Sequence, residues 1–208
     1  MILLNYLDKI IYDPSTNAQD HSELNRTMNL KFKNITISGG VSTGKNTLLD
    51  NLKPHLEPQG WKFTSGGQIL RDFAKEYVQP SANLADKKIH NMIDERTVKL
   101  LKNGHYIIEA WLAGFFARNM ENTLRVLLVC KDNAVKIDRV VNRDKISVDM
   151  AKIYIKEREE INFSEWRKYY GNYNFFDPKY YRLVIDTYTS GPMETLGKVL
   201  DKLRFRGK

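Results

Sequence analysis

The stretch "NITISGGVSTGKNTLLD", residues 34–50, decides the fold. Residues 34–38 form an apolar, β-branched run that predicts a buried strand, and a helical pattern begins near Gly44. Between them, Gly39 to Lys45 fits the pattern G-x-x-x-x-G-K in the strand-loop-helix context that the pattern requires. The glycines let backbone amides turn toward phosphate oxygens, the helix adds its positive end, and Lys45 adds a mobile cation. We predict a phosphate-binding loop rather than a glycine-rich turn with a chance lysine.

The nucleotide-binding residues predicted here are consecutive: Gly39, Gly40, Val41, Ser42, Thr43, Gly44, Lys45, Asn46 and Thr47. Asn46 departs from the pattern, because the position after the lysine is usually a serine or threonine whose hydroxyl ligates Mg²⁺. An asparagine carbonyl oxygen can also serve a hard cation, so Asn46 is the candidate metal ligand. Thr47 is a less well aimed substitute. We expect a weakened metal contact in a working site.

Strands alternate with helices along the rest of the chain, which predicts an α/β fold with three layers, α/β/α, around a parallel sheet. Further strands are expected at residues 61–65, 106–110, 125–130 and 181–187. Helices are expected at about 44–53, 67–78, 85–103, 133–143 and 148–170, with a last one from Pro192 to about residue 205. Pro54 should end or kink the first helix.

The composition bounds the class of protein. The 208 residues suit one domain with a lid, and one cysteine excludes an internal disulfide framework and favours a reducing compartment. Residues 1–30 are interpreted as an N-terminal extension, a short helix plus a linker. They lack the pattern of a signal peptide or membrane span, so a cytoplasmic protein with no membrane partner is expected. The net charge of +8 favours an anionic partner: nucleotide, nucleic acid or an acidic surface.

The order of motifs over residues 31–203 resembles the nucleoside monophosphate kinases of the P-loop NTPase superfamily, specifically the cytidylate kinase-like family. The resemblance rests on "ITISGGVSTGKNT", "FTSGGQILRDFAKE", "IDERTVKLLKNGHYIIEAWLAG", "DRVVNRD", "IKEREE" and "LVIDT". It implies a kinase domain over residues 31–208 with a helical lid at about 136–170. It also implies transfer of a phosphoryl group from ATP, with Mg²⁺, to a nucleoside monophosphate similar to CMP or dCMP. The protein is expected to act on small nucleotides as a monomer.

The resemblance assigns the acceptor side to residues 65–104 and the end of the next strand. The acceptor-binding residues that it implies are Ser65, Gly67, Arg71, Glu109 and Trp111. Arg71 would hold the acceptor phosphate with its two-pronged guanidinium. Trp111 stands where the family pattern E-G-R-L-A-G has arginine, so it either stacks on a base or belongs to the core. Asp94 and Arg96 match a further family pair, but their spacing directs them to different helix faces.

Lid cations are predicted on one helix face, because Lys136, Arg139 and Arg143 are spaced by three and four residues. We expect only a bound anion to make such a cluster favourable. Arg158 matches another lid arginine, although its acidic neighbours also allow a structural ion pair. The resemblance makes Lys45, Arg139, Arg143 and Arg158 the catalytic cations.

Two alternatives stay open. Asn46 and Trp111, with Phe163 and Glu165 where the family is more basic, would also suit a degenerate ATP-binding protein with a regulatory or scaffolding role. The basic charge and the aromatic run "WRKYYGNYNFF" (166–176) would suit a kinase or binder acting on nucleic acid. A helix end followed by a packed hydrophobic loop explains the same run without nucleic acid.

Overall fold

The computed structural model describes residues 30–69, 71 and 87–205, and the predicted extension of residues 1–30 lies outside this range except for Leu30. The strands are β1 (Asn34–Ser38), β2 (Lys62–Ser65), β3 (Tyr106–Glu109), β4 (Thr123–Val129) and β5 (Leu183–Asp186). The helices are α1 (Lys45–Leu56), α2 (Lys87–Asn103), α3 (Ala113–Phe116), α4 (Asn133–Asp144), α5 (Val148–Tyr170) and α6 (Pro192–Leu203). Within these ranges no helix is both long and apolar enough to cross a membrane.

The five strands form one parallel sheet in the order β2-β3-β1-β4-β5. One face of the sheet packs on α1 and α6, through Ile35 and Ile37 of β1. The other face packs on α2 and α3, where Ile108 meets Leu101 and Ala113. The predicted three-layer α/β/α fold is therefore confirmed.

The central strand β1 is buried along its whole length, although every second residue is polar. Asn34 donates a hydrogen bond to the Leu101 carbonyl at 2.7 Å, and the Ser38 hydroxyl accepts one from the Gly114 amide at 2.8 Å. Buried polar groups need such partners, so these bonds fix α2 and α3 against the strand that leads into the phosphate loop.

Helix α1 passes through Pro54 and ends at Leu56, so of the two outcomes predicted for Pro54, an end of the helix at that residue is wrong. Proline removes one helical hydrogen bond, but Leu52 and Leu56 are fully buried on the core face of the same helix. Their burial outweighs the local cost of the proline in the last turn. The predicted helix at 67–78 is described only at residues 66–69 and 71, which are helical.

Candidate active site

The phosphate loop, residues 39–45, joins the end of β1 to the start of α1 and requires glycine at both ends. Gly39 has φ 150°, and a Cβ there would lie 2.4 Å from the Leu128 carbonyl oxygen. Gly44 has φ 87° and forms the N-cap of α1. Backbone positions of this kind suit only glycine without strain, so the two glycines let the loop hold its amides at the helix N-terminus. An open, positively polarised cradle of this shape fits a polyphosphate.

Lys45 and Glu109 meet at the carboxyl edge of the sheet, because β1 and β3 are neighbours and Ile37 pairs with Glu109. The Lys45 ammonium donates to the Gly40 carbonyl at 2.8 Å and lies 3.7 Å from the Glu109 carboxylate. Burial lowers the pKa of Lys45, and the nearby carboxylate opposes this shift. Burial also raises the pKa of Glu109, opposed by Lys45. Both charges are thus held out of water beside the cradle, where the arrival of an anion changes their balance.

A cavity of about 490 Å³ opens over the outer side of the phosphate loop. Its wall is formed by the loop, the first turn of α1, one face of α4, and the segment from β5 to α6: Ser42, Thr43, Gly44, Lys45, Asn46, Thr47, Leu48, Asp138, Arg139, Asn142, Arg143, Thr187, Ser190, Pro192 and Thr195. This volume suits a small organic ligand.

Asn46 and Thr47 are exposed to this cavity, so the candidate metal ligand faces the space that a nucleotide would fill. The described residues contain no cluster of three or more histidine, cysteine or acidic side chains that could hold a metal ion. A metal bound here would depend on phosphate oxygens and water, with the Asn46 carbonyl oxygen as a protein contact, as is usual for Mg²⁺.

Arg139 on α4, which the sequence predicts to be a lid arginine, reaches the phosphate loop. Its guanidinium donates to the Ser42 carbonyl at 3.1 Å, and to the hydroxyl and carbonyl oxygens of Thr187 at 2.9 and 2.7 Å. One planar group therefore joins the loop, α4 and the segment after β5. Thr187 was missed by the sequence analysis, although it ends the motif "LVIDT".

The other lid cations all have partners on the protein, which corrects the expectation that only a bound anion makes their cluster favourable. Lys136 donates to Glu159 at 2.8 Å, and Arg143 donates to Asp144 at 2.8 and 2.7 Å. Arg158 is exposed and donates to the hydroxyl of Tyr154, and its charge acts on both Lys45 and Glu109. Glu159 was also missed: its carboxylate oxygen lies 3.0 Å from where a Cβ on Gly40 would be.

On the acceptor side, the end of β2 lies against the end of β3. Ser65 pairs with Glu109 across the two strands, and its hydroxyl accepts a hydrogen bond from the Gln68 amide at 3.0 Å. A Cβ on Gly66 would lie 2.8 Å from the Ala110 side chain, so the segments approach closely. Arg71 is exposed and donates to the Gln68 side chain at 2.9 Å, directly over Gly67. Ser65 and Glu109 are thus brought together, while Arg71 folds back along its own helix.

Asp94, on α2, contacts the end of α5. It accepts a 2.5 Å hydrogen bond from the Tyr170 hydroxyl, which links α2 to the last residue of α5. Burial raises the pKa of Asp94 to about 7, partly opposed by this hydrogen bond and assisted by Glu95. Asp94 therefore joins α2 to the end of α5.

Trp111 is half-buried and contacts both Lys45 of the phosphate loop and Trp166 of α5. The Lys45 ammonium lies over its ring, 5.3 Å from the centroid, and the ring meets the edge of Trp166 at 5.3 Å. Trp166 belongs to an aromatic cluster with Phe163 and the fully buried Phe175. Packing thus occupies the key rings of the aromatic run at 166–176, as expected for a packed hydrophobic loop.

This chain is similar to known proteins in both sequence and fold. Residues 62–189 match the model of the cytidylate kinase-like family. A cytidylate kinase of Pyrococcus abyssi is 35% identical over 159 residues, which cover 74% of this chain and 83% of that enzyme. A cytidylate kinase of Ignicoccus hospitalis is 29% identical over 174 residues, which cover 80% of this chain and 98% of that enzyme. Among solved structures, a shikimate kinase from Bacteroides thetaiotaomicron has a TM-score of 0.52 at 12% identity, covering 83% of this chain and 98% of that one, and it shares the fold.

Proposed function

This chain belongs to the cytidylate kinase-like family and is a nucleoside monophosphate kinase, and from this premise we propose that it transfers the γ-phosphoryl group of ATP to CMP or dCMP with Mg²⁺. The observation that carries the proposal is the meeting of the phosphate loop and Glu109 at one edge of the sheet, with Lys45 between them. A donor bound by the loop and an acceptor beside Glu109 would face each other there. Ligands of open parallel sheets bind at this edge.

Each residue at this edge has a proposed role in an in-line transfer with no covalent intermediate. The loop amides and Lys45 stabilise the charge on the transferred group. Arg139 holds the loop by the Ser42 carbonyl and lines the donor cavity. Arg143 and Arg158 are the exposed lid cations that can turn from their present partners to a phosphate. An acceptor phosphate is already nucleophilic near neutral pH, so the reaction requires no dedicated base.

The acceptor side is proposed to lie in residues 65–104, with Glu109, and the lid in residues 136–170. Arg71 is proposed to bind the acceptor phosphate by exchanging its hydrogen bond to Gln68, which is exposed and costs little to break. Ser65 and Gly67 precede Arg71 in the same segment, and we propose that they line the acceptor site beside Glu109. Mg²⁺ bound to the donor phosphates would neutralise charge on them, and Asn46 is the proposed protein contact.

A CMP or dCMP acceptor is proposed because the curated relatives at 29–35% identity are named cytidylate kinase. This chain lacks the arginine at position 111, so we expect its preference among pyrimidine monophosphates to be less strict than a cation at that position would give. An uncharged side chain there removes one donor that could discriminate between bases.

The proposal is tested by ADP release from ATP and Mg²⁺ with each common ribo- and deoxynucleoside monophosphate, using Lys45→Ala as the matched control. We expect CMP or dCMP to give the highest kcat/KM, and the variant to lose at least about 100-fold, as for other groups that stabilise transition-state charge. If no acceptor raises ADP release above that of the control while ATP still binds, the chain is a degenerate binder and the proposal is wrong. Stimulation by single-stranded nucleic acid alone would favour a different acceptor.

A further inference from the structure

We propose that Trp111 is a positioning residue for the phosphate loop lysine: its indole face holds the Lys45 ammonium at the mouth of the cradle instead of stacking on the acceptor base. The inference deepens the proposed function and rests on it for the identity of the donor, ATP. It concerns a position where the family pattern E-G-R-L-A-G has a cation and this chain has an aromatic ring.

The Lys45 ammonium is surrounded by three groups of different chemistry. The Gly40 carbonyl accepts its hydrogen bond, the Glu109 carboxylate lies 3.7 Å away, and the Trp111 ring covers it at 5.3 Å. A cation within about 6 Å of an indole centroid is attracted by the ring quadrupole, and tryptophan is the strongest aromatic partner. The lysine side chain is 10% exposed, so water competes little with this contact.

Packing fixes the position of the indole ring. Trp111 lies against two hydrophobic clusters: one contains Val41 of the phosphate loop together with residues of α4 and α5, and the other contains Trp166. The edge-to-face contact with Trp166 orients the ring. A side chain held on both sides is a rigid surface for the flexible lysine, which otherwise loses considerable rotamer entropy when it is ordered.

The same contacts argue against base stacking by Trp111. One face of the ring is directed at the ammonium and an edge contact with Trp166 is already made. A base could take that face only by displacing Lys45, the residue that the donor phosphates need. An arginine at position 111 could not replace the indole in this role, because its charge would repel the ammonium.

The decisive experiment measures binding of ATP and of inorganic tripolyphosphate by calorimetry, so turnover is not required. Trp111→Leu should weaken both ligands by roughly fivefold to tenfold, and Trp111→Phe, which keeps a π face, by less. Phe163→Leu is the matched control, because Phe163 belongs to the same aromatic cluster and contacts Trp166. Thermal unfolding of each variant identifies any variant that fails to fold. If Trp111→Leu does not fold, the affinities of Trp111→Phe are compared with those of the unmodified protein instead.

A double-mutant cycle separates positioning from general packing. In a Lys45→Ala background, Trp111→Leu or Trp111→Phe should change ATP affinity less than about twofold, because the group that Trp111 acts on is gone. The full effect in that background would overturn the proposal, as would an equal loss of affinity in Phe163→Leu. CMP affinity reduced by Trp111→Leu with ATP affinity unchanged would assign the ring to base stacking instead.

If the cycle behaves as expected while no acceptor is phosphorylated, the kinase proposal fails and this inference stands. If ATP does not bind at all, both fail.

Discussion

Asp94 should make the stability of the protein depend on pH in the range where few other groups titrate. Burial raises its pKa to about 7 from an ordinary value of 3.8, so the folded protein binds a proton more tightly than the unfolded chain. Stability from such a group is fully present below the unfolded pKa and is lost as the pH rises through the folded one. The free energy of unfolding should therefore fall between about pH 4 and pH 7.

The size of the effect follows from the shift. About three pKa units correspond to about 4 kcal/mol as an upper limit. Asp94 keeps some contact with solvent, which screens its interactions, so we expect about 2 kcal/mol. The Tyr170 hydroxyl stabilises the carboxylate through its hydrogen bond and limits the shift.

Asp94→Asn removes the titration and keeps an oxygen that can accept the hydrogen bond from Tyr170. The free energy of unfolding is measured with urea at about pH 4.5 and pH 7.5. Between these two pH values the free energy of unfolding of the variant should rise by about 2 kcal/mol relative to that of the unmodified protein. Asp201→Asn, at an exposed position on α6, is the matched control and should show no such gain. The free energy of unfolding of Asp94→Asn can also differ from that of the unmodified protein by the same amount at both pH values, within about 0.5 kcal/mol. That result would refute the raised pKa of Asp94.

Two further substitutions test the lid and the core. Arg139→Lys should raise the Kd for ATP by about tenfold, because one ammonium cannot hold both the Ser42 carbonyl and Thr187, and Arg182→Lys on the exposed opposite edge should not. Phe175→Ala should lower the free energy of unfolding by about 3–5 kcal/mol, because the fully buried Phe175 ring is part of the aromatic cluster. The same substitution should lower Tm by about 6–20 °C.

Each of these two predictions has an outcome that would contradict it. Unchanged ATP affinity in Arg139→Lys would mean that the guanidinium contacts to the loop do not shape the site. A Tm for Phe175→Ala within about 2 °C of the unmodified protein would mean that the aromatic cluster is loosely packed and contributes little.

Local signals explain how much of the fold could be predicted from the sequence. Helix α5 begins where Ser147 caps it and ends before Gly171, and both residues were visible in the sequence. The phosphate loop was predictable because its requirement for glycine is local to one turn. Pro54 does not end helix α1, because the effect of a proline is local, while the burial of Leu52 and Leu56 in the same helix depends on distant elements.

The parts of the site that could not be predicted are contacts between residues far apart in the chain. Asp94 and Tyr170 are separated by 76 residues, and Arg139 and Thr187 by 48. Periodicity says which face of a helix is apolar, but it carries no information about which distant side chain meets an exposed cation. The pairing of Lys136 with Glu159 was missed for this reason, since both acids and bases are common along α5.

The contact between Arg139 and Thr187 has a consequence for how the protein emerges from the ribosome. A nascent chain synthesised as far as residue 180 already carries the phosphate loop, but neither β5 nor Thr187 exists to receive the lid arginine. Helix α1 also cannot complete its packing at that stage, because Leu52 packs in one cluster with Leu196 and Val199 of α6. Such distant contacts close late. The cavity over the phosphate loop is thus completed only after β5 and α6 have been synthesised, and a ligand of that cavity can stabilise only a chain in which β5 has joined the sheet.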